Sequence, residues 1–194
     1  EFFYDVLHFP EEKPIHVKVR SIVGLIPIFA VEVLEPELLE RVPRFNEHLD
    51  WILENRPELA SLVSRWNEPG RGHRHLFSLL RGSRLKCLLR RMLDEDEFLS
   101  PYGIRSMSKI HEKHPYVLHC EGKTKHCNGS SKVDYQPAES NTHMFGGNSN
   151  WRGPIWFPVN FLLIESLQRF HHYYGIDFKV ESPSSSGQKL TLEE

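Results

Sequence analysis

The thirteen residues Met144-Phe-Gly-Gly-Asn-Ser-Asn-Trp-Arg-Gly-Pro-Ile-Trp156 place two tryptophans, an arginine, two asparagines, three glycines and a proline together with almost no aliphatic filler. These are the groups that bind sugars. Indole faces stack on the C–H faces of pyranose rings, amide and guanidinium groups fork onto vicinal hydroxyls, and glycines let the backbone approach a ligand. The same composition also fits a glycine-rich turn with Trp151 and Trp156 tucked into the core.

The residues after the loop point to a rigid support. From Pro158, the residues Phe161, Leu162, Ile164, Leu167, Phe170 and Tyr174 recur at helical spacing, with Pro158 suited to a first turn and Gly175 to a stop. The pattern predicts a largely buried helix fed directly by the aromatic loop. Upstream, Val19 to Leu34 reads as a buried helix with Pro27 as a kink or late start, and Pro36, Pro43 and Pro57 open further helical stretches. One face of the stretch from Pro43 to Arg56 carries Phe45, Leu49, Ile52 and Leu53; the stretch from Pro57 continues through Leu59, Leu62, Val63 and Trp66.

Residues 71–97 form a basic amphipathic stretch. Arg71 to Arg91 contains seven Lys or Arg and no acidic residue, with Asp94-Glu-Asp-Glu97 just beyond. It reads as two short helices interrupted at Gly82-Ser83, either solvated and balanced by the acidic run or offered to an anionic partner. Residues 114–136 read as a hairpin or loop insertion: His114 to Cys120 alternates like a strand, and Val133 to Pro137 pairs back. Asn128-Gly-Ser130 fits both a turn and a glycosylation acceptor. The segment from Glu181 to Gly187 reads as a flexible connection, and Leu190 to Glu194 as the start of a helix.

The loop and its helix, Gly146 to Trp156 with Asn160, resemble the C-terminal catalytic region of glycoside hydrolase family 63, which includes processing α-glucosidase I and mannosylglycerate hydrolase-like enzymes. Phe2-Phe-Tyr-Asp5 is similar to that family's Gly-hydrophobic-Tyr-Asp segment, Val19 to Ala30 to its next inner helix, and Pro101-Tyr-Gly103 to a loop before a short surface segment. Lys109 to Val133 is the least familiar stretch. The resemblance implies a mainly α fold, part of an (α/α)6 barrel with a small irregular or β-hairpin insertion. A barrel of twelve helices needs roughly twice 194 residues at ordinary helix and loop lengths. The expectation is therefore a partial catalytic domain, incomplete at both ends, whose partner is the remainder of that domain.

The same resemblance implies inverting hydrolysis of an α-glucosidic bond in an oligosaccharide or small glucoside. Such chemistry needs two carboxyl groups about 6.5–9.5 Å apart, one donating a proton to the leaving oxygen and the other activating water. In the family the acid lies upstream of the segment like Phe2 to Asp5, and the base downstream of the helix, beyond Glu194. Trp151, Arg152, Gly153 and Trp156 would line the glucose subsite, with Asn148 and Asn150 shaping the loop. Arg152 either meets a sugar hydroxyl or a catalytic carboxylate, or clamps the loop through a salt bridge. Among local carboxylates the candidates are Asp5, which also suits a cap or hairpin, and Glu139, just before the loop.

Composition narrows the alternatives. The formal charge is −2, with 24 basic and 26 acidic side chains, so no global field draws the chain to nucleic acid or an anionic membrane. The longest apolar stretch, Ile22 to Leu34, contains Glu32 and is shorter than the roughly 20 residues that span a bilayer. Cys87, Cys120 and Cys127 are too few and odd in number for a disulfide scaffold, which favours reduced, cytoplasmic surroundings. The twelve histidines lack zinc-like spacing, and no phosphate loop or dinucleotide fingerprint is present, so neither metal nor cofactor is expected. Two other readings stay open: a carbohydrate-binding remnant without turnover, and a helical scaffold whose basic stretch binds an anionic macromolecule.

Overall fold

The computed structural model of the chain describes residues 2–10, 13–61, 68–119, 130–139 and 150–194. Strand β1 (Asp5–Leu7) pairs antiparallel with β2 (Ile15–Val17), Asp5 standing opposite Val17. A 3-10 helix over Ile22–Phe29 then delivers Ile22, Leu25 and Ile28 to the core and passes into β3 (Val31–Leu34). Next come three short helices, α1 (Pro36–Arg41), α2 (Pro43–Asn55) and α3 (Pro57–Ala60), each opening on a proline whose missing N–H costs nothing in a first turn.

After a 3-10 turn at Arg71–His73, β4 (His75–Ser78) returns to pair with β3, Val33 opposite Leu76 and Glu32 opposite Phe77. Helix α4 (Gly82–Met92) buries Leu85, Leu88, Leu89 and Met92, the i, i+3, i+4, i+7 face that its sequence presents. Each such leucine contributes about 1.5–3 kcal/mol of burial. The hairpin β5 (Leu99–Ser100) and β6 (Gly103–Ile104) precedes helix α5 (Ile110–Lys113). Strands β7 (Tyr116–His119) and β8 (Ser130–Val133) pair antiparallel. Helix α6 (Phe157–Tyr174), a 3-10 turn at Gly175–Asp177, and the hairpin β9 (Lys179–Glu181) with β10 (Lys189–Thr191) complete the chain.

The main core joins the first 3-10 helix, α4 and α6 around Leu25, Leu80, Leu89, Phe98 and Phe170; a smaller cluster holds Val17, Val19, Met107 and Val133. Pro158 lies in the first turn of α6, and Gly175, at φ 71°, ends it.

The expected mainly α, (α/α)6 architecture is overturned by this arrangement. Among the described residues, short helices alternate with five separate two-stranded sheets, and no toroid of paired helices forms. The predicted helix over Val19 to Leu34 is a 3-10 helix leading into a strand, because Pro27 offers no amide for an α-helical ladder and Val31-Glu-Val33 alternates at strand period. The basic stretch is α-helical only in Gly82–Met92; His75–Ser78 is strand, drawn into the ladder of β3. At the C-terminal end, Lys189–Thr191 is a strand rather than a helix start, and residues 181–187 belong to the hairpin that it closes. Leu62, Val63 and Trp66 lie outside the described residues, as do Cys120, Cys127 and Asn128.

Helix α6 buries part of the expected row, Phe170 fully and Leu167 and Tyr174 partly, while the rest of its buried face lies elsewhere. Leu163, Ser166, Phe170 and Tyr173 point into the core, while Phe161, Leu162 and Ile164 are about half exposed. No helix of the described residues is long and apolar enough to cross a membrane.

Candidate functional site

Asn150 organises the loop that leads into α6. Its Nδ2 donates to the carbonyls of Gln136 and Ala138, both at 2.6 Å, while its Oδ1 accepts the Arg152 N–H at 2.9 Å. Its own carbonyl accepts the Trp156 indole N–H at 3.2 Å. One side chain therefore ties the segment ending in Ala138 to the turn that carries the tryptophans. The rings of Trp151 and Trp156 stack with centroids 5.4 Å apart and planes inclined by 25°. Both rings are half-buried, and Trp151 packs against the main core.

Arg152 points inward. It is 1% exposed, with Nη1 3.5 Å from Asp134 Oδ1 and Nη2 donating to Gln136 Oε1. Its carbonyl also accepts the Gln136 N–H. A guanidinium so enclosed needs a carboxylate and amide oxygens around it, since burying the charge unpaired is far costlier than the pairing returns. These contacts join the loop to the strand end just beyond β8.

Gly153 is tightly packed. Its φ is 146°, and a Cβ built there would stand 2.6 Å from Tyr135 Cε2 and 3.1 Å from Pro137 Cα. Its N–H donates to the fully buried Ser106 hydroxyl at 3.0 Å, while the Ser106 N–H donates to Pro154 O at 3.0 Å. Asn160, one turn into α6, completes the anchorage. Its Oδ1 accepts the Ile104 N–H at 2.7 Å, and its Nδ2 donates to the carbonyls of Ile104 and Trp156, both at 3.0 Å. Residues 150–160 are thus fastened to segments remote in sequence.

A second polar cluster holds the segment behind Ser106. Glu97, 8% exposed, accepts from Arg20 Nη1 at 3.0 Å, Arg91 Nη1 at 2.7 Å and the Ser108 hydroxyl at 3.2 Å. Nearby, His111 Nε2 accepts the Arg20 backbone N–H at 2.9 Å, which leaves the proton on Nδ1 to be donated to His114 O at 3.0 Å. Burial pushes the His111 pKa below the ordinary histidine value; the His114 carbonyl opposes that shift and the Arg20 charge adds to it.

The remaining candidates lie apart from this arrangement. Asp5 is exposed on β1, and Glu139 is exposed in the bend after Ala138. Asn148 and the loop residues before Asn150 lie outside the described residues. Of the basic stretch, Arg74 binds Glu35 at 2.9 Å and Arg91 binds Glu97, so both are engaged by carboxylates of this chain. Among the described residues no group of three or more His, Cys, Asp or Glu is disposed to hold a metal ion.

Among the described residues, cavities also lie away from this loop. One of about 330 Å³ lies among Glu68, Arg81, Ser83, Tyr173 and Tyr174, where burial pushes the Tyr174 hydroxyl to about 12. Another of about 450 Å³ is bounded by Phe2, Phe3, Tyr4, Arg84, Leu88 and Arg91. The residues that sequence reasoning missed are those that grip the loop: Ser106, Asp134, Tyr135 and Gln136. Ser106 sits 47 positions from Gly153. Its neighbours Arg105, Met107 and Ser108 give no local signal of that contact.

Over its whole length the chain is 48% identical to an uncharacterized protein of Saccharomyces cerevisiae, of which it spans 17%. It is also 29% identical over 128 residues, 60% of the chain, to a probable mannosyl-oligosaccharide glucosidase of Schizosaccharomyces pombe, covering 12% of that protein. The chain therefore spans less than a fifth of the length of these curated relatives. No family model matches it. No solved structure matches it either.

Proposed function

We propose that this chain forms part of the sugar-binding wall of an α-glucosidase-like glycoside hydrolase acting with inversion on an α-glucosidic bond of an oligosaccharide or small glucoside. The observation that carries the reading is the stacked, half-buried pair Trp151 and Trp156, fixed by Asn150 beside the inward clamp of Arg152. The distant similarity to a probable mannosyl-oligosaccharide glucosidase supports the same class. A pyranose laid on the accessible indole surface gains apolar contact along its C–H face.

In this proposal Asn148 and Asn150 shape the loop, Gly153 allows its close packing, and Arg152 holds the tryptophan pair in register. Preorganisation of this kind spares the site the cost of ordering the loop when sugar arrives. The proton donor and the base that activates water come from parts of the polypeptide outside residues 1–194.

A second reading, binding without turnover, draws support from the exposure of Asp5 and Glu139, the two local carboxylates with a claim to the chemistry. The polypeptide of the complete reading frame distinguishes the two. Proton NMR of the reaction with an α-glucosyl oligosaccharide should show β-glucose appearing first, as inversion requires, and Trp151→Ala should slow it at least tenfold. Saturable binding with no glucose released would establish the second reading instead.

A further inference from the structure

Helix α6 turns apolar side chains toward solvent in an ordered row. Phe157 is 79% exposed, Phe161 51% and Ile164 56%. Their spacing of i, i+4 and i+7 places all three on one face, away from the face that buries Leu163, Phe170 and Tyr173. Ile164 continues this row into a groove of about 240 Å³, where Leu93, Leu167, Val180 and Leu192 form the apolar lining and Glu193 and Glu194 stand at the rim. Beside the first turn of α6, the turn of the β5–β6 hairpin presents Tyr102, 87% exposed, and Asn160 ties that hairpin to the helix. Contiguous exposed apolar surface of this kind marks an interface rather than an ordinary solvated helix.

The chemistry of the row selects its occupant. Phe157, Phe161 and Ile164 carry no polar side-chain atom, so they offer a sugar nothing to hydrogen-bond. The row and groove instead match the ridge of a second helix, whose i, i+3, i+4 and i+7 residues insert between them. The relatives extend far beyond the matched region, since it is 17% of one and 12% of the other. We propose that an amphipathic helix from elsewhere in the same, longer polypeptide docks on Phe157, Phe161 and Ile164, with a basic side chain facing Glu193 and Glu194. The Glu194 carboxyl is held below the usual carboxylate range by hydrogen bonds from Thr191, backbone first and then side chain, so the rim stays charged. The docked helix also covers the outer side of α6, next to the tryptophan loop.

Thiol accessibility tests this in the polypeptide of the complete reading frame. Phe161→Cys and, separately, Ile164→Cys replace side chains that are already more than half exposed in this chain, so neither disturbs its core. N-ethylmaleimide labelling at the new cysteine, read peptide by peptide by mass spectrometry, is expected to be at least about tenfold slower in the native protein than in urea. It should be unchanged by hundredfold dilution or by added oligosaccharide. A maleimide–succinimide cross-linker on the same cysteine should capture a lysine outside residues 1–194. Native labelling within about twofold of the unfolded rate overturns the proposal. So does protection lost on dilution, which assigns the face to a second copy, or protection seen only with sugar, which assigns it to substrate. Cross-links confined to these 194 residues overturn it as well.

Discussion

The Asn160 side-chain amide closes both backbone hydrogen bonds of Ile104, accepting its N–H at 2.7 Å and donating to its carbonyl at 3.0 Å. A single side chain on α6 thus behaves as an added strand residue for the β5–β6 hairpin. It also donates to the Trp156 carbonyl, so hairpin, helix and aromatic loop share one junction. Replacing Asn160 by Ala leaves two carbonyls and one N–H without this partner in a half-buried place. The expected loss is about 1–3 kcal/mol, read as a lower denaturant midpoint with an unchanged m-value. A midpoint within error of wild type would show that water replaces the amide fully.

Gly153→Ala should be costly for two separable reasons. The backbone stands at φ 146°, which disfavours any Cβ, and the new methyl meets the Tyr135 ring at 2.6 Å. A combined loss of about 2–4 kcal/mol is expected, with part of it recovered when Tyr135→Ala is added in a double-mutant cycle. The ring clash is relieved in that variant, whereas the backbone strain is not. Strict additivity of the two changes would mean that the loop moves away from Tyr135 instead.

Asp134→Ala tests the clamp on Arg152. The guanidinium is 1% exposed and the carboxylate 28%, so removing the anion leaves a buried cation with amide oxygens for company. The expected cost is about 1–3 kcal/mol, with Asp134→Asn recovering part of it through hydrogen bonding. Fluorescence of Trp151 and Trp156 should shift toward longer wavelength in the Ala variant as the indoles gain water. An unaltered spectrum and midpoint would show that Asp134 does not hold the loop.

His111 predicts a specific pH dependence. Burial lowers its folded-state pKa, so between that value and the ordinary 6.5 the unfolded chain binds more protons than the folded one. Stability contributed by neutral His111 is therefore complete above pH 6.5 and falls as the solution is acidified through the window below it, by up to about 1.4 kcal/mol per pH unit. His111→Gln, which keeps an amide donor and acceptor, should flatten the thermal-midpoint profile in that range. An equal slope in the variant would place the dependence on other groups.

The part of this structure that could be read in the sequence is local. Pro158 and Gly175 bound α6 because a first-turn proline and a terminal glycine act through their own backbone. The proline-led starts of α1, α2 and α3 obey the same rule. What periodicity could not supply was pairing at a distance. His75-Leu-Phe-Ser78 looks like part of a helical stretch until Leu76 finds Val33 across the ladder. The barrel expectation failed at such places, where chain continuous with helical patterning is taken up by hairpins. Within the site, the aromatic and polar composition of the loop was legible, while its fastening was not: Ser106, Tyr135 and Gln136 reach Arg152 and Gly153 only in three dimensions. The exposed row on α6 was visible as apolar residues, yet which side of the helix they occupy depends on the packing of Leu163 and Phe170.

Calorimetric titration of the polypeptide of the complete reading frame with a glucosyl oligosaccharide tests the central claim most directly, using wild type, Trp151→Ala and Trp156→Ala, with thermal midpoints confirming that each is folded. Loss of an indole platform should weaken binding by about 1.5–3 kcal/mol, roughly tenfold to a hundredfold in Kd, for either variant. Folded variants that bind the oligosaccharide as tightly as wild type would contradict the claim that these two rings carry the sugar.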